Sequence, residues 1–180
     1  MNKLLPIFLL ISLPSLLSAQ SITGEAIKDQ LIKDWERSKA YTQEYLNTMP
    51  ADKYAFRAVD SIRSFAQQML HLASGTAFLM NIATGAQPTT YNARGLETRP
   101  GAQTKDSVTW YVNASYDYAI DAVKNLDVSK LGETVNAPGG RQATRYAMLL
   151  KAIEHQAHHR GQTTIYIRLQ GIRPPNERLF

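Results

Sequence analysis

Residues 154–162 have the sequence EHQAHHRGQ and hold three of the four histidines of this 180-residue chain. His155 and His159 are four positions apart. On an α-helix this spacing places both side chains on one face, about 6 Å apart along the axis, where two imidazoles can reach one metal ion. The segment therefore predicts a helix that carries two ligands of a metal site.

The pattern around this segment predicts one long helix over residues 142–170, ended by Gly171. An inward-facing stripe follows from spacings of three and four residues: Ala152, His155, His159, Gln162 and Tyr166. His158 lies about 100° around the helix from His159, so we do not expect it to be a ligand. Gly161 inside the helix is expected to permit a close backbone approach or a local distortion.

Three further segments have helical periodicity: residues 23–49, 61–85, and from 104 or 106 to 126. Thr23 is the expected N-cap of the first helix, and Pro50 ends it. No stretch alternates long enough to predict a strand. The chain is therefore predicted to be an all-α four-helix bundle, with crossover connections at residues 86–103 and 127–141.

His71, the fourth histidine, lies in the second predicted helix. A three-histidine metal site needs a third ligand from another helix, and His71 is the candidate. The alternative is that these histidines are hydrogen-bonded core or surface residues, and the sequence pattern alone leaves both interpretations open.

The first nineteen residues resemble a secretory signal peptide, with Lys3 before an apolar stretch and Ser18-Ala19 at its end. Cleavage after Ala19 would leave one domain, residues 20–180, exported to the periplasm or secreted. The apolar stretch is too short to favour a membrane anchor, and we expect no membrane span after cleavage. The chain has no cysteine, which excludes disulfides, thiolate ligands and a lipoprotein anchor.

The formal net charge of +5 is modestly basic. Arginines near the C-terminus, at positions 160, 168, 173 and 178, are not accompanied by an aromatic or glycine-rich nucleic-acid motif, so no nucleic-acid partner is expected. No serine-hydrolase elbow, phosphate-binding loop or dinucleotide-binding glycine motif occurs in the chain. Gln156 stands where a zinc protease helix would have glutamate.

Two parts of the sequence resemble the DinB/YfiT-like family. The first is HQAHHRGQ at residues 155–162, continued by YIRLQGIRPP at residues 166–175. The second runs from MPADKY at residues 49–54, through RSF at residues 63–65, to MLHLA at residues 69–73. The resemblance covers essentially the whole mature chain.

This resemblance implies a four-helix bundle with crossovers and a divalent metal held by His71, His155 and His159. The family metal varies between nickel and zinc, with iron or manganese as further candidates here. Relatives act as thiol transferases or thiol-dependent isomerases that use a low-molecular-weight thiol in the cytoplasm. This chain departs from them in its predicted export signal.

The function predicted from the sequence is that of an exported metal-dependent hydrolase or thiol transferase acting on a small molecule of unknown identity. Gln162 and Tyr166 are the candidate catalytic groups because they share the predicted stripe with His159. The alternatives are a non-catalytic or structural metal-binding bundle, and an interaction module whose basic C-terminus binds an acidic partner. A homodimer is a further expectation, since small bundles commonly form one.

Overall fold

A computed structural model of the protein describes residues 21–180, so the predicted signal peptide and its cleavage site lie outside the described residues. Four long helices form the fold: α1 (Gly24–Thr48), α2 (Phe65–Thr84), α3 (Lys105–Lys124) and α4 (Arg145–Leu169). They confirm the predicted all-α four-helix bundle. None of the described helices is long and apolar enough to cross a membrane.

Each helix begins at a hydroxyl residue whose side chain accepts a hydrogen bond from the first turn. Thr23 caps α1 as predicted, and Thr104 caps α3. The predicted start of the second helix at Ser61 is wrong. Ser64 caps α2 instead, in a capping box with Gln67 that stops the helix from extending further back.

A small β-hairpin precedes α4 and was not predicted. Strand β1 (Thr134–Ala137) pairs antiparallel with β2 (Arg141–Thr144). Glycines at positive φ in the turn, Gly139 and Gly140, allow the chain to reverse. The helix predicted from residue 142 therefore starts three residues later, at Arg145. Strands of only four residues are too short for alternation to distinguish them from a helix start.

The helices are arranged so that α2 packs against both α3 and α4, and α1 packs against the same two helices. Helices α2 and α4 are antiparallel, since Gln68 contacts His159 and Gly75 contacts His155 further along. Helices α2 and α3 both begin near Tyr54, whose ring lies 5.0 Å from that of Phe65 and 5.7 Å from Lys105 Nζ. They are therefore parallel, and residues 85–104 return along the bundle as a crossover.

The core contains a polar network beside the apolar side chains. Arg160 is 8% exposed and donates to Gln156 Oε1 at 2.8 Å and to Thr42 Oγ1 at 3.3 Å. Its guanidinium also lies 4.5 Å from the centre of the Tyr41 ring. Arg160 is thus not part of a basic surface, and the network links α1 to α4.

Candidate metal centre

Three histidines converge between α2 and α4, as predicted. One ring nitrogen from each of His71, His155 and His159 lies within 4.8 Å of the others. Metal–nitrogen bonds of about 2.0–2.1 Å put two such nitrogens no more than about 4.2 Å apart around an ion. Small side-chain rotations would therefore bring this group to metal-binding geometry.

His71 is oriented by a carboxylate that the sequence analysis missed. Its Nδ1 is hydrogen-bonded to Glu97 Oε1, and Arg63 Nε donates to Glu97 Oε2 at 2.5 Å. Burial alone would raise the pKa of Glu97, but hydrogen bonds from Arg63 and His71 outweigh it and hold the pKa below its usual value. With Nδ1 donating to this carboxylate, Nε2 of His71 remains free as a ligand.

His159 is oriented in the same way by a neutral partner. Its Nδ1 lies 2.9 Å from Oε1 of Gln68, a residue only 6% exposed. Because an amide oxygen only accepts, Nδ1 carries the proton and Nε2 is the free nitrogen. Burial, reinforced by the neighbouring histidines, lowers the pKa of His159 to about 3, so the ring is neutral near pH 7.

His155 lacks a hydrogen-bond partner at its buried Nδ1. Its imidazole packs against Gly75 so closely that a Cβ there would overlap the ring, with Nδ1 only 2.9 Å away. Burial lowers the pKa of His155 to about 4, which keeps the ring neutral. A half-buried, neutral imidazole whose Nδ1 has no hydrogen-bond partner, lying beside two others, suits a donor set for a divalent cation.

The remaining predicted site residues lie elsewhere on α4. His158 is exposed, as expected, and its Nε2 lies 3.1 Å from Nε2 of Gln162. Gln162 is also exposed, so its predicted place in the inward stripe is wrong. Thr163 is buried there instead, because it lies about 40° from His159 on the side of the helix that faces the core.

Tyr166 is buried as predicted. Its hydroxyl donates at 2.7 Å to the backbone carbonyl of Arg63. Tyr166 therefore supports the residue that holds Glu97. The catalytic roles of Gln162 and Tyr166 stay predictions.

A cavity of about 910 Å³ adjoins the histidine group. It runs from His71 and Glu97 along α2 to Phe78, and Tyr91 and Arg94 of the chain after α2 line its other side. Helical periodicity places Gly75 and Phe78 on the same face of α2 as His71. It does not indicate the other side of the cavity, because the segment over residues 86–95 has no regular structure. The group thus has space beside it for a small molecule.

Solved structures show the same fold. A DinB-like protein from Bacillus cereus is 16% identical with a TM-score of 0.70, covering 83% of this chain and 97% of that one. A DinB-like protein from Bacillus subtilis is 20% identical with a TM-score of 0.62, over 84% and 96%. A conserved protein from Enterococcus faecalis is 14% identical with a TM-score of 0.60, over 83% and 98%.

Among curated proteins, none matches this chain. The sequence profile of the DinB superfamily matches residues 34–163, which span most of the bundle and include all three converging histidines. This match covers well over half of the chain. The protein therefore belongs to the DinB superfamily.

Proposed function

We propose that this protein is a metal-dependent enzyme, a hydrolase or a thiol transferase, whose divalent metal is held by His71, His155 and His159. The observation that carries the proposal is the convergence of three histidines, two of them kept neutral by burial, beside a cavity large enough for a substrate. Zinc or nickel suits imidazole nitrogen, and iron or manganese are the further candidates.

The metal would supply Lewis acidity and either an activated water or a bound thiolate as nucleophile. The chain's own residues prepare the site for it. Glu97 accepts a hydrogen bond from Nδ1–H of His71, and Gln68 accepts one from Nδ1–H of His159. Both rings are thereby fixed in the tautomer with a free Nε2. Burial keeps His155 and His159 unprotonated well below neutral pH, so protons do not compete with a cation.

A structural metal site is the main alternative, and it would be closed by a fourth protein ligand. Within residues 21–180, the histidine and carboxylate side chains near enough to share one ion are the three histidines alone. Glu97 is the adjoining carboxylate, and its two oxygens are engaged by His71 and Arg63. With three protein donors, a bound divalent ion would keep a coordination position for water or substrate. Together with the cavity beside His71, this donor set supports catalysis over a structural role.

The proposed site is tested by elemental analysis of protein purified without chelating resin. We expect one metal per chain in the wild type and in His158→Ala, which removes an exposed histidine of the same helix. His155→Ala and His159→Ala should each lose stoichiometric metal while remaining folded. Full occupancy in both of these variants would overturn the proposal.

The reaction class is tested with the metal-loaded protein on small esters, amides and electrophiles, each with and without an added low-molecular-weight thiol. Product formation without thiol identifies a hydrolase, and stoichiometric consumption of thiol identifies a transferase. Either activity should disappear in His155→Ala. A fully loaded protein inactive under every condition would favour the non-catalytic bundle.

We also propose that the chain is exported, on the strength of its first nineteen residues. Mass spectrometry of the protein from its host should find a mature N-terminus at or near Gln20, in the fraction outside the inner membrane. An intact N-terminus on cytoplasmic protein would contradict export without affecting the metal proposal.

A further inference from the structure

The cavity beside the histidine group has its own chemical character. Its inner end is formed by His71, Gly75 and Glu97, so a molecule that fills it reaches the edge of the proposed metal centre. Its outer part lies between α2 and the segment that carries Tyr91 and Arg94. One end of the cavity therefore lies beside the histidines, and the other lies beside Tyr91 and Arg94.

Two aromatic side chains provide apolar surface in the outer part. Phe78 is on α2 yet 56% of it is exposed, although α2 is otherwise rich in buried residues. Tyr91 is fixed opposite, with its hydroxyl donating to the Ala73 carbonyl at 3.4 Å and its ring 5.9 Å from that of Tyr111. An apolar group that covers Phe78 would be removed from water together with it.

The free charge in the cavity is positive. Among the described residues that line it, the charged ones are Arg94 and Glu97, and Glu97 is neutralised by Arg63. No carboxylate of residues 21–180 lies within ion-pair distance of the Arg94 guanidinium. An exposed arginine that lines a pocket and has no carboxylate partner favours anionic ligands.

The backbone that carries Arg94 is held in place. Its N–H donates to Asn92 Oδ1 at 2.9 Å, and its carbonyl accepts from Arg99 Nη2 at 3.1 Å. Arg99 is itself anchored, because its Nη1 donates to the Tyr111 hydroxyl at 3.1 Å. Only the Arg94 side chain then has to be ordered when an anion binds, which reduces the entropic cost of binding.

We infer that this cavity is the substrate pocket and that it selects molecules combining an anionic group, held by Arg94, with an apolar group against Phe78 and Tyr91. The inference rests on the proposed function for the reaction itself, which would take place at the end near His71. The selection for charge and apolar surface belongs to the pocket and is measurable without metal.

The test is calorimetric titration of chelator-treated protein with hydrocinnamate and with its neutral amide, which have the same apolar part. Without metal, a carboxylate–metal bond cannot contribute. We expect hydrocinnamate to bind about tenfold more tightly than the amide, as a charge-assisted hydrogen bond implies. Arg94→Gln should abolish this difference, whereas Arg168→Gln, the same change on the exposed face of α4, should preserve it.

Phe78→Ala tests the apolar half of the inference and should weaken binding of both probes. Because Phe78 and Arg94 are exposed, neither substitution threatens folding. Equal affinity for the two probes, selectivity unaffected by Arg94→Gln, or no binding of either probe at millimolar concentration would overturn the inference. Metal content of Arg94→Gln is measured in parallel, so loss of the metal proposal and loss of the pocket inference are distinguished.

Discussion

At the scale of single residues, the group of histidines depends on a glycine at position 75. Gly75 leaves the space that the His155 imidazole occupies, and a Cβ there would overlap the ring. We predict that Gly75→Ala displaces His155 and weakens metal binding by about tenfold or more, as changes next to metal ligands do. Competition titration against a chromophoric chelator measures this effect.

The matched control is Gly161→Ala, since the same methyl group there meets nothing within 4 Å. Its metal affinity should equal that of the wild type. Unchanged affinity in Gly75→Ala would mean that His155 does not need its present position to bind metal.

Glu97 is the second residue on which the site depends, because its carboxylate accepts a hydrogen bond from Nδ1–H of His71. Glu97→Gln keeps an acceptor but removes the charge, and it releases Arg63. We predict a loss of metal affinity of about 10- to 100-fold, measured by the same competition titration. Glu133→Gln, which removes a surface carboxylate paired with Arg145 at 2.9 Å, should have no effect.

The candidate ligands could be predicted from the sequence, whereas their supports could not. His155 and His159 are related by helix geometry alone, and the metal hypothesis required a third histidine, of which His71 was the candidate. Glu97 and Gln68 reach the histidines through tertiary packing from a loop and another helix. Helical periodicity within one segment does not indicate such contacts between segments. It also misplaced Gln162, because the residues three and four positions after His159 lie on opposite sides of it around the helix, and only Thr163 is on the buried side.

At the scale of elements, α4 contains a glycine, Gly161, at a position where neither the backbone conformation nor the packing requires one. Gly161 is exposed in the middle of the helix, with a negative φ and open space where a side chain would be. The two expectations for this position, a close backbone approach or a local distortion, are therefore both wrong, since α4 continues as one helix through Gly161. We predict that Gly161→Ala raises the free energy of unfolding by about 1 kcal/mol, measured by urea denaturation. A lower stability would contradict the open space that the structure has at Gly161.

The helix boundaries were predictable wherever a capping residue coincided with the end of a hydrophobic pattern. Thr23 and Gly85 are such cases, and the structure has both as caps. The inner face of α4 was less predictable because Gln156, Arg160 and Thr163 are buried on it. Gln156 and Arg160 donate across the bundle to Ser38 and Thr42, and the Thr163 hydroxyl donates to the Arg160 carbonyl of its own helix. Hydropathy alone assigns such polar residues to the surface.

At the scale of the whole molecule, the histidine group joins two packed helices, since His71 is on α2 and the other two histidines are on α4. A metal that binds only the folded chain stabilises it by about 2.7 kcal/mol at a free concentration 100 times its dissociation constant. We predict that adding the native metal to chelator-treated protein raises its urea midpoint. The increase should persist in His158→Ala and vanish in His155→Ala.

Because His155 and His159 are partly withdrawn from water and neutral, they make the metal-free fold sensitive to mild acid. His155 and His159 have pKa values of about 4 and 3 in the folded chain, against about 6.5 when unfolded. Between these values the unfolded chain binds more protons, so stability is full above about pH 6.5 and falls as the pH decreases. At pH 5 the loss amounts to at most about 2 kcal/mol for each histidine.

We therefore predict that chelator-treated protein unfolds at lower urea concentration at pH 5 than at pH 7. Replacing both His155 and His159 by glutamine should remove most of that difference, because glutamine does not titrate. Glu97 does not interfere, since its pKa lies below the usual value of 4.5 and its contribution is lost only at more acidic pH. Equal losses in the wild type and the double variant would show that the acid sensitivity arises elsewhere and that these imidazoles are not held neutral by the fold.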